Sequence, residues 1–251
     1  MKTQRLAAAA LLAAACALAT GAMAEPLPPN IAAAAADPGR ADQASADAMR
    51  HGPEILAFAG VSPGAKVIDL IPGGGYWTGL FAASVGPSGH VYAVWPAEYV
   101  KVDGDEVGPY AKVAARYANV SVLEQPGAKL AAPEKVDLVF TAQNYHDYLD
   151  TFMGPIDPMV LNKAVFAALK PGGTYLIVDH VADAGSGVRD TDTLHRIDPA
   201  IVKTQVTAAG FQFVGESKLL ANPADDHSKK VFNPAIRGHT DQFIYKFRKP
   251  G

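Results

Sequence analysis

Past residue 62 the chain alternates short unbroken apolar runs with stretches whose apolar positions recur every three or four residues. The runs predict strands over 66–71, 90–95, 120–124, 136–142 and 174–179. The periodic stretches predict helices near 77–85, 107–117, 158–169 and 199–209. Unbroken apolar strands are what a sheet covered by helices on both faces requires. The pattern then changes: "GFQFVGESKLL" (210–220) and "TDQFIYKFRKP" (240–250) read as two strands joined by a polar loop rich in Asn, Pro and Asp. They are expected to pair antiparallel at one end of the sheet. The fold class is therefore α/β: a mostly parallel, seven-stranded sheet with helices on both faces and an antiparallel closing strand.

Ahead of this domain (63–251) lies a different composition. "EPLPPNIAAAAADPG" (25–39) is a Pro/Ala-rich lead-in, expected to be poorly ordered. Good helix formers follow over 41–50, and Pro53 can start a short helix that puts Ile55, Leu56 and Phe58 on one face. The segment 25–62 thus reads as a lead-in with a helical lid. No internal repeat or second domain is visible.

The first strand runs into "KVIDLIPGGGYWTGL" (66–80), a strand, a glycine turn and a helix start. Gly73, Gly74 and Gly75 permit positive φ and close approach of a ligand. The following helix start offers free N–H groups and a positive dipole end. Asp69 lies inside the strand, where a charge is costly unless it meets a ligand or backbone donors. The dinucleotide spacing G-x-G-x-x-G/A fails in both registers, and a phosphate loop fails for lack of G-K-[ST].

This order resembles the class I S-adenosylmethionine-dependent methyltransferases. The resemblance rests on "VIDLIPGGGYWT", on the polar "QNYHDYLD" after the fourth strand, on "LKPGG" leading into "TYLIVDH", and on the closing "QFIYKFRK". It spans roughly residues 40–249. More narrowly, "RHGPEILAFAGVSPGAKVIDLIPGGGYWT" and "HRIDPAIVKTQVTAAGF" are similar to a bacterial group of exported methyltransferases. The resemblance implies a Rossmann-like fold and S-adenosylmethionine as cofactor. By position, Asp69 and Gly73 to Gly75 are implied to cradle its methionine part, with Tyr76, Thr78 and Asn144 nearby. The family's ribose-binding acidic residue at the end of the second strand is here Trp95, so either Glu98 reaches back or Trp95 stacks on the adenine. The family's first glycine is replaced by Ile71.

Candidate chemistry clusters after the fourth and fifth strands. His146 and Asp147 lie in "QNYHDYLD", Asp179 and His180 just past the fifth strand, and His195 and Arg196 in "TLHRID". His146 or His180 is a candidate base for a hydroxyl or amine acceptor, with Asp147 beside it. Tyr145, Asp179, His195 and Arg196 are candidate acceptor contacts, and Arg50 and His51 stand where a lid could fold over the pocket. His146, Asp147, Asp179 and His180 also have ligand chemistry for a divalent cation. Adjacent pairs on loops lack the i, i+4 spacing of a helical metal site, so no metal ligands are assigned. Asp225, Asp226 and His227 read as a solvated loop, and Met49, Met153 and Met159 as core or lid packing.

Composition places this chemistry in a compartment. "MKTQR" is basic, 6–19 is apolar and Ala-rich, and "AMA" precedes "EP", which together read as a secretory signal peptide over 1–24, cleaved after Ala24. The apolar run is shorter than the roughly 20 residues of a membrane span. Cys16, the single cysteine, falls in that leader, so the mature chain is expected to have neither a thiolate nucleophile nor a disulfide. Without Lys2 and Arg5 it carries 20 basic and 25 acidic side chains, a net charge of -5, with no basic run of the kind nucleic acid requires. The expected protein is an exported, periplasmic or secreted methyltransferase with a small-molecule acceptor, no nucleic-acid partner and no membrane anchor after cleavage. Two alternatives stand beside it: a ligand-binding module that keeps the fold, and a metal-dependent hydrolase using the His/Asp rim.

Overall fold

The computed structural model describes residues 26–251. The leader expected over 1–24 lies outside the described residues. Seven strands form one sheet: β1 Lys66–Leu70, β2 His90–Pro96, β3 Val120–Gln125, β4 Val136–Ala142, β5 Leu169–His180, β6 Gln212–Ser217 and β7 Gln242–Arg248. The helices are α1 Pro29–Ala35, α2 Asp47–Arg50, α3 Gly52–Ala59, α4 Tyr76–Val85, α5 Ala97–Asp103, α6 Val107–Ala114, α7 Pro158–Ala168, α8 Thr191–Leu194 and α9 Pro199–Ala208. Strand order is β3-β2-β1-β4-β5-β7-β6. The first five strands pair in parallel, and β7 pairs antiparallel with both β5 and β6. This is the Rossmann-like sheet with an antiparallel closing strand.

Both faces of β1, β2, β4 and β5 are buried, which explains their apolar runs, whereas the edge strand β3 is only partly covered. Along β4, Leu138 and Phe140 face α1, α3 and α4 with Ile55, Leu80 and Phe81. Val136 and Val139 face the opposite layer with Leu161, Val165, Val202 and Val206. Strand order reverses between β1 and β4, and the crevice beyond their carboxyl ends is where ligands bind in such sheets.

Three expectations at element boundaries change. The Pro/Ala-rich lead-in is not loose: Pro29–Ala35 is helical, with Ile31 and Ala34 buried against α4. Asn30 Nδ2 donates to the carbonyls of Val61 and Ser84 at 3.2 and 3.1 Å, which fastens that helix in place. The helix expected over 41–50 is instead a 3-10 turn, Ala44–Ala46, followed by the four-residue α2, which ends where His51 takes φ 48°. At "LKPGG", α7 stops at Ala168 and Leu169 already pairs with Val136. Pro171 disfavours helical backbone at Lys170, so the chain turns extended before the glycines.

Candidate functional site

The glycine turn is built on unusual backbone. Ile71 has φ 53°, which is costly for a β-branched residue, on the order of 1–2 kcal/mol. Its N–H donates to Val94 O at 2.9 Å, its carbonyl accepts from Asn144 Nδ2 at 3.1 Å, and its side chain is buried. Tertiary contacts therefore hold the turn that glycine normally makes easy. Gly73 (φ 53°) and Gly74 have open space where a Cβ would stand. Gly75 (φ 82°) is needed for packing instead, since a Cβ there would meet Val113 Cγ1 at 2.8 Å. It precedes α4, which has no side-chain N-cap.

Asp69 lies beneath this turn. Thr78 Oγ1 donates to its Oδ2 at 2.5 Å, and Tyr110 Oη lies 3.1 Å from the same hydroxyl. Burial pushes the Asp69 carboxyl up to about 7, against the Thr78 hydrogen bond that favours its ionised form.

The opposite rim is drawn from three segments. Asp179, at the end of β5, accepts from the backbone N–H of His146 at 3.0 Å and of His180 at 2.8 Å. Its Oδ1 also lies 2.8 Å from His146 Nδ1. His146 Nε2 stands 3.0 Å from Nδ1 of His195, which ends α8 with φ 52°. Burial opposes a charge on His146, but the carboxylates of Asp179 and Asp147 outweigh it and hold its pKa well above the ordinary histidine value. Asp147 is likewise brought down to about 2, because the charge on His146 overcomes burial. His180 goes the other way: burial lowers it to about 3, and its Nδ1 lies 2.8 Å from Thr240 Oγ1. A protonated His146 donates from both nitrogens, so it is not a free base, and His180 stays neutral.

Turn and rim face one cleft of about 940 Å³. It brings together the expected Gly73, Gly74, Tyr76, Asn144 and Arg50 with His146, Asp147, His180 and His195. Asp69, Gly75 and Thr78 support the turn from behind, and Asp179 supports His146.

Several expected residues are placed elsewhere. Trp95 is fully buried among Tyr99 and Tyr110, so it cannot stack on a ligand in the cleft. Glu98 accepts from the backbone N–H of Gly127 at 2.9 Å and does not line the cleft. Tyr145 is buried, with its hydroxyl donating to Gln205 at 3.0 Å and accepting from Asn162 at 2.9 Å. Arg196 is fully buried and ties Val181 O, Lys229 O and Asp225 together. Asp225, expected in a solvated loop, is thus a buried anchor that also receives the N–H of Asp241. His51 does not line the cleft. Met153 is core as expected, Met49 is half-exposed and lines a pocket beside the cleft, and Met159 is on the surface.

The cleft also contains residues that the sequence did not point to. Gln143 has φ 64°, and Phe232 and Arg237 come from the irregular loop between β6 and β7. Asp150 joins the rim cluster, and its signal was present as the D-x-x-D spacing of "HDYLD". An adjoining pocket of about 400 Å³ shares Arg50, Trp77, His180, Phe232 and Arg237 with the cleft and adds Met49 and Leu220.

No protein-family model and no curated protein sequence matches the chain. Solved structures do. A SAM-dependent methyltransferase from Aquifex aeolicus superposes with TM-score 0.58 at 18% identity, covering 84% of this chain and 93% of that one. The [4+2]-cyclase SpnF gives 0.60 at 17% identity, covering 85% of each chain. The glycopeptide N-methyltransferase MtfA complexed with sinefungin gives 0.55 at 16% identity, covering 81% of this chain and 87% of that one. Identities this low establish the architecture: the chain has the fold of the class I S-adenosylmethionine-dependent methyltransferases.

The residues present fit that cofactor on the turn side. Gly73 and Gly74 leave the space a Cβ would fill, α4 has no side-chain cap, and the buried indole N–H of Trp77 has no acceptor. Among the described residues, however, no carboxylate from β2 reaches the cleft to meet a ribose, and the carboxylates lining it are Asp42 and Asp147.

Proposed function

We propose that this protein binds S-adenosylmethionine against the glycine turn and methylates a small anionic acceptor, after export and removal of residues 1–24. The observation that carries the reading is one cleft walled by Gly73 and Gly74 on one side and by the His146–His195 rim on the other. The likeness to solved methyltransferases, one of them holding the cofactor analogue sinefungin, supports it. When bound, the cofactor supplies an electrophilic methyl group. The chain's own work is alignment, since in-line transfer depends chiefly on placing the reacting atoms.

The acceptor's place is the adjoining pocket. Trp77, Phe232 and Leu220 give it apolar walls. Arg50 and Arg237 both line it; they lie over the rings of Tyr76 and Phe232 at 5.2 and 5.9 Å, and among the described residues neither forms an ion pair, which leaves both charges to hold a carboxylate or phosphate. In the ion-free cleft both nitrogens of His146 are engaged, Nδ1 at 2.8 Å from Asp179 Oδ1 and Nε2 at 3.0 Å from His195 Nδ1, so it offers no free base. This favours an acceptor that is nucleophilic without proton removal.

Thermal unfolding with and without S-adenosylmethionine or its demethylated product tests the reading. A ligand at 100 times its dissociation constant stabilises by about 2.7 kcal/mol, or roughly 5–10 °C for a chain of this size. No shift at millimolar ligand would overturn it. The reading of a ligand-binding module would then take its place, favoured by Ile71 in the turn and by the lack of a β2 carboxylate on the cleft. The fold permits such divergence, as the cyclase SpnF illustrates.

A further inference from the structure

The rim contains more polar atoms than its hydrogen bonds satisfy. His146, Asp147, Asp150 and His195 each offer one ligand atom, and these atoms lie within 4.8 Å of one another. Three of them form a tight triangle. His146 Nε2 is 3.0 Å from His195 Nδ1 and 3.2 Å from Asp147 Oδ1, and His195 Nδ1 is 3.5 Å from Asp147 Oδ1. Donor atoms bound about 2.0–2.2 Å from a shared ion, at octahedral to tetrahedral angles, stand about 2.8–3.6 Å apart. The observed triangle has those dimensions.

Independent observations point to a ligand there. Asp150 is buried and its Oδ1 has no hydrogen-bond partner. Asp147 Oδ1, also buried, points between the two imidazoles, 3.2 Å from His146 Nε2 and 3.5 Å from His195 Nδ1, without a well-directed hydrogen bond to either. A buried carboxylate oxygen with no partner, such as Asp150 Oδ1, is costly unless a donor or cation meets it. In addition, Asp179 holds His146 through Nδ1 at 2.8 Å, which turns Nε2 toward the cluster. A carboxylate behind an imidazole is the usual outer-shell support of a metal-binding histidine.

Local backbone explains the gathering. "HDYL" is a 3-10 turn, His146–Leu149, with about three residues per turn, which stacks Asp150 over Asp147. Thr151 then donates its N–H and its hydroxyl to Asp192 Oδ1 at 3.0 and 3.1 Å. That contact docks α8, and with it His195, against the turn.

We infer that His146, Asp147, Asp150 and His195 form a binding site for one divalent ion of the first transition row. Two imidazoles and two carboxylates suit zinc, cobalt or manganese, whereas magnesium and calcium favour all-oxygen sets. His146, Asp147 and His195 also line the cleft, so the ion is reachable from it. Sequence alone assigned no metal ligands; of the four residues whose chemistry it noted, His146 and Asp147 belong to this site and Asp179 and His180 do not, while Asp150 and His195 join it.

The test is calorimetric titration of chelator-stripped protein with zinc and with cobalt, without S-adenosylmethionine, with cobalt absorption reporting the ligand field. One ion per chain is expected. Asp150→Asn and His195→Gln should each weaken binding at least about 10-fold, and Asp179→Asn about 10- to 100-fold. His227→Gln, whose imidazole pairs with Asp241 away from the cluster, should leave it unchanged. Lack of stoichiometric zinc or cobalt at millimolar concentration overturns the site. So does unchanged affinity in Asp150→Asn, or magnesium binding as tightly as zinc. Unfolding of each variant in chelator separates lost ligation from lost fold. The cofactor shift, measured in chelator, succeeds or fails independently of the metal.

Discussion

The two walls of the cleft are made in opposite ways. The turn is contiguous in sequence, residues 69 to 78, and works mainly through backbone: open space at Gly73 and Gly74 and an uncapped helix start. The rim is assembled from 146–150, 179–180 and 195, and works through side chains that are buried and charged or neutral by virtue of one another. A local wall tolerates replacement of one residue, as Ile71 in a glycine's conformation demonstrates. A wall built from distant segments depends on every anchor that holds them in register.

The sharpest way to isolate the turn is Gly74→Val. Its side chain enters open space, so the cofactor-induced shift should vanish, a loss of 100-fold or more in affinity, with the melting temperature of the free protein nearly unchanged. Retained binding would sever the turn from the ligand. The corresponding blow to the rim is Arg196→Ala, which leaves Asp225 buried without its cation and frees the loop that carries Phe232 and Arg237. Chemical denaturation should show a loss of about 3–5 kcal/mol; a loss under 1 kcal/mol would mean the loop is held by other contacts.

Asp69→Asn should have a smaller effect of opposite sign. The folded carboxyl titrates near 7, above its ordinary value of 3.8. Below about pH 4 both folded and unfolded states are protonated, and the substitution should do little. As pH rises from 4 to 7 only the unfolded state ionises, so the native protein loses stability, and above 7 the penalty is complete. The variant should therefore gain stability above pH 7, on the order of 1–3 kcal/mol, and denaturation at pH 4 and pH 8 gives the comparison. An equal effect at both values would remove Asp69 from the account. The smallest effect is expected from Glu98→Gln: the cofactor shift should stay within about 1 °C, because Glu98 faces Gly127 and not the cleft. A large loss there would restore the ribose contact implied by resemblance.

Much of the scaffold was legible because its causes are local or periodic. Strands β1 to β5 appear as apolar runs, and helix starts at Pro158 and Pro199 are marked by Asp157 and Asp198, whose side chains cap them. Legibility failed where the partner decides. Trp95 and Arg196 looked like cleft residues from their positions, yet the first fills the core and the second is a buried tie. The alanine-rich lead-in looked loose because its buried face, Ile31 and Ala34, has meaning only against α4.

By itself the sequence determined the class of fold, the order of its elements and the place of the glycine turn, since these follow from hydrophobic period and from backbone preferences within a few residues. Only the tertiary structure decided which side chains meet across the cleft. His146, Asp147, Asp150 and His195 are up to 49 positions apart and come together through Asp179, Asp192 and the packing of α8. Their charge states depend on burial and on neighbours brought by other segments, neither of which is present in any short stretch of chain.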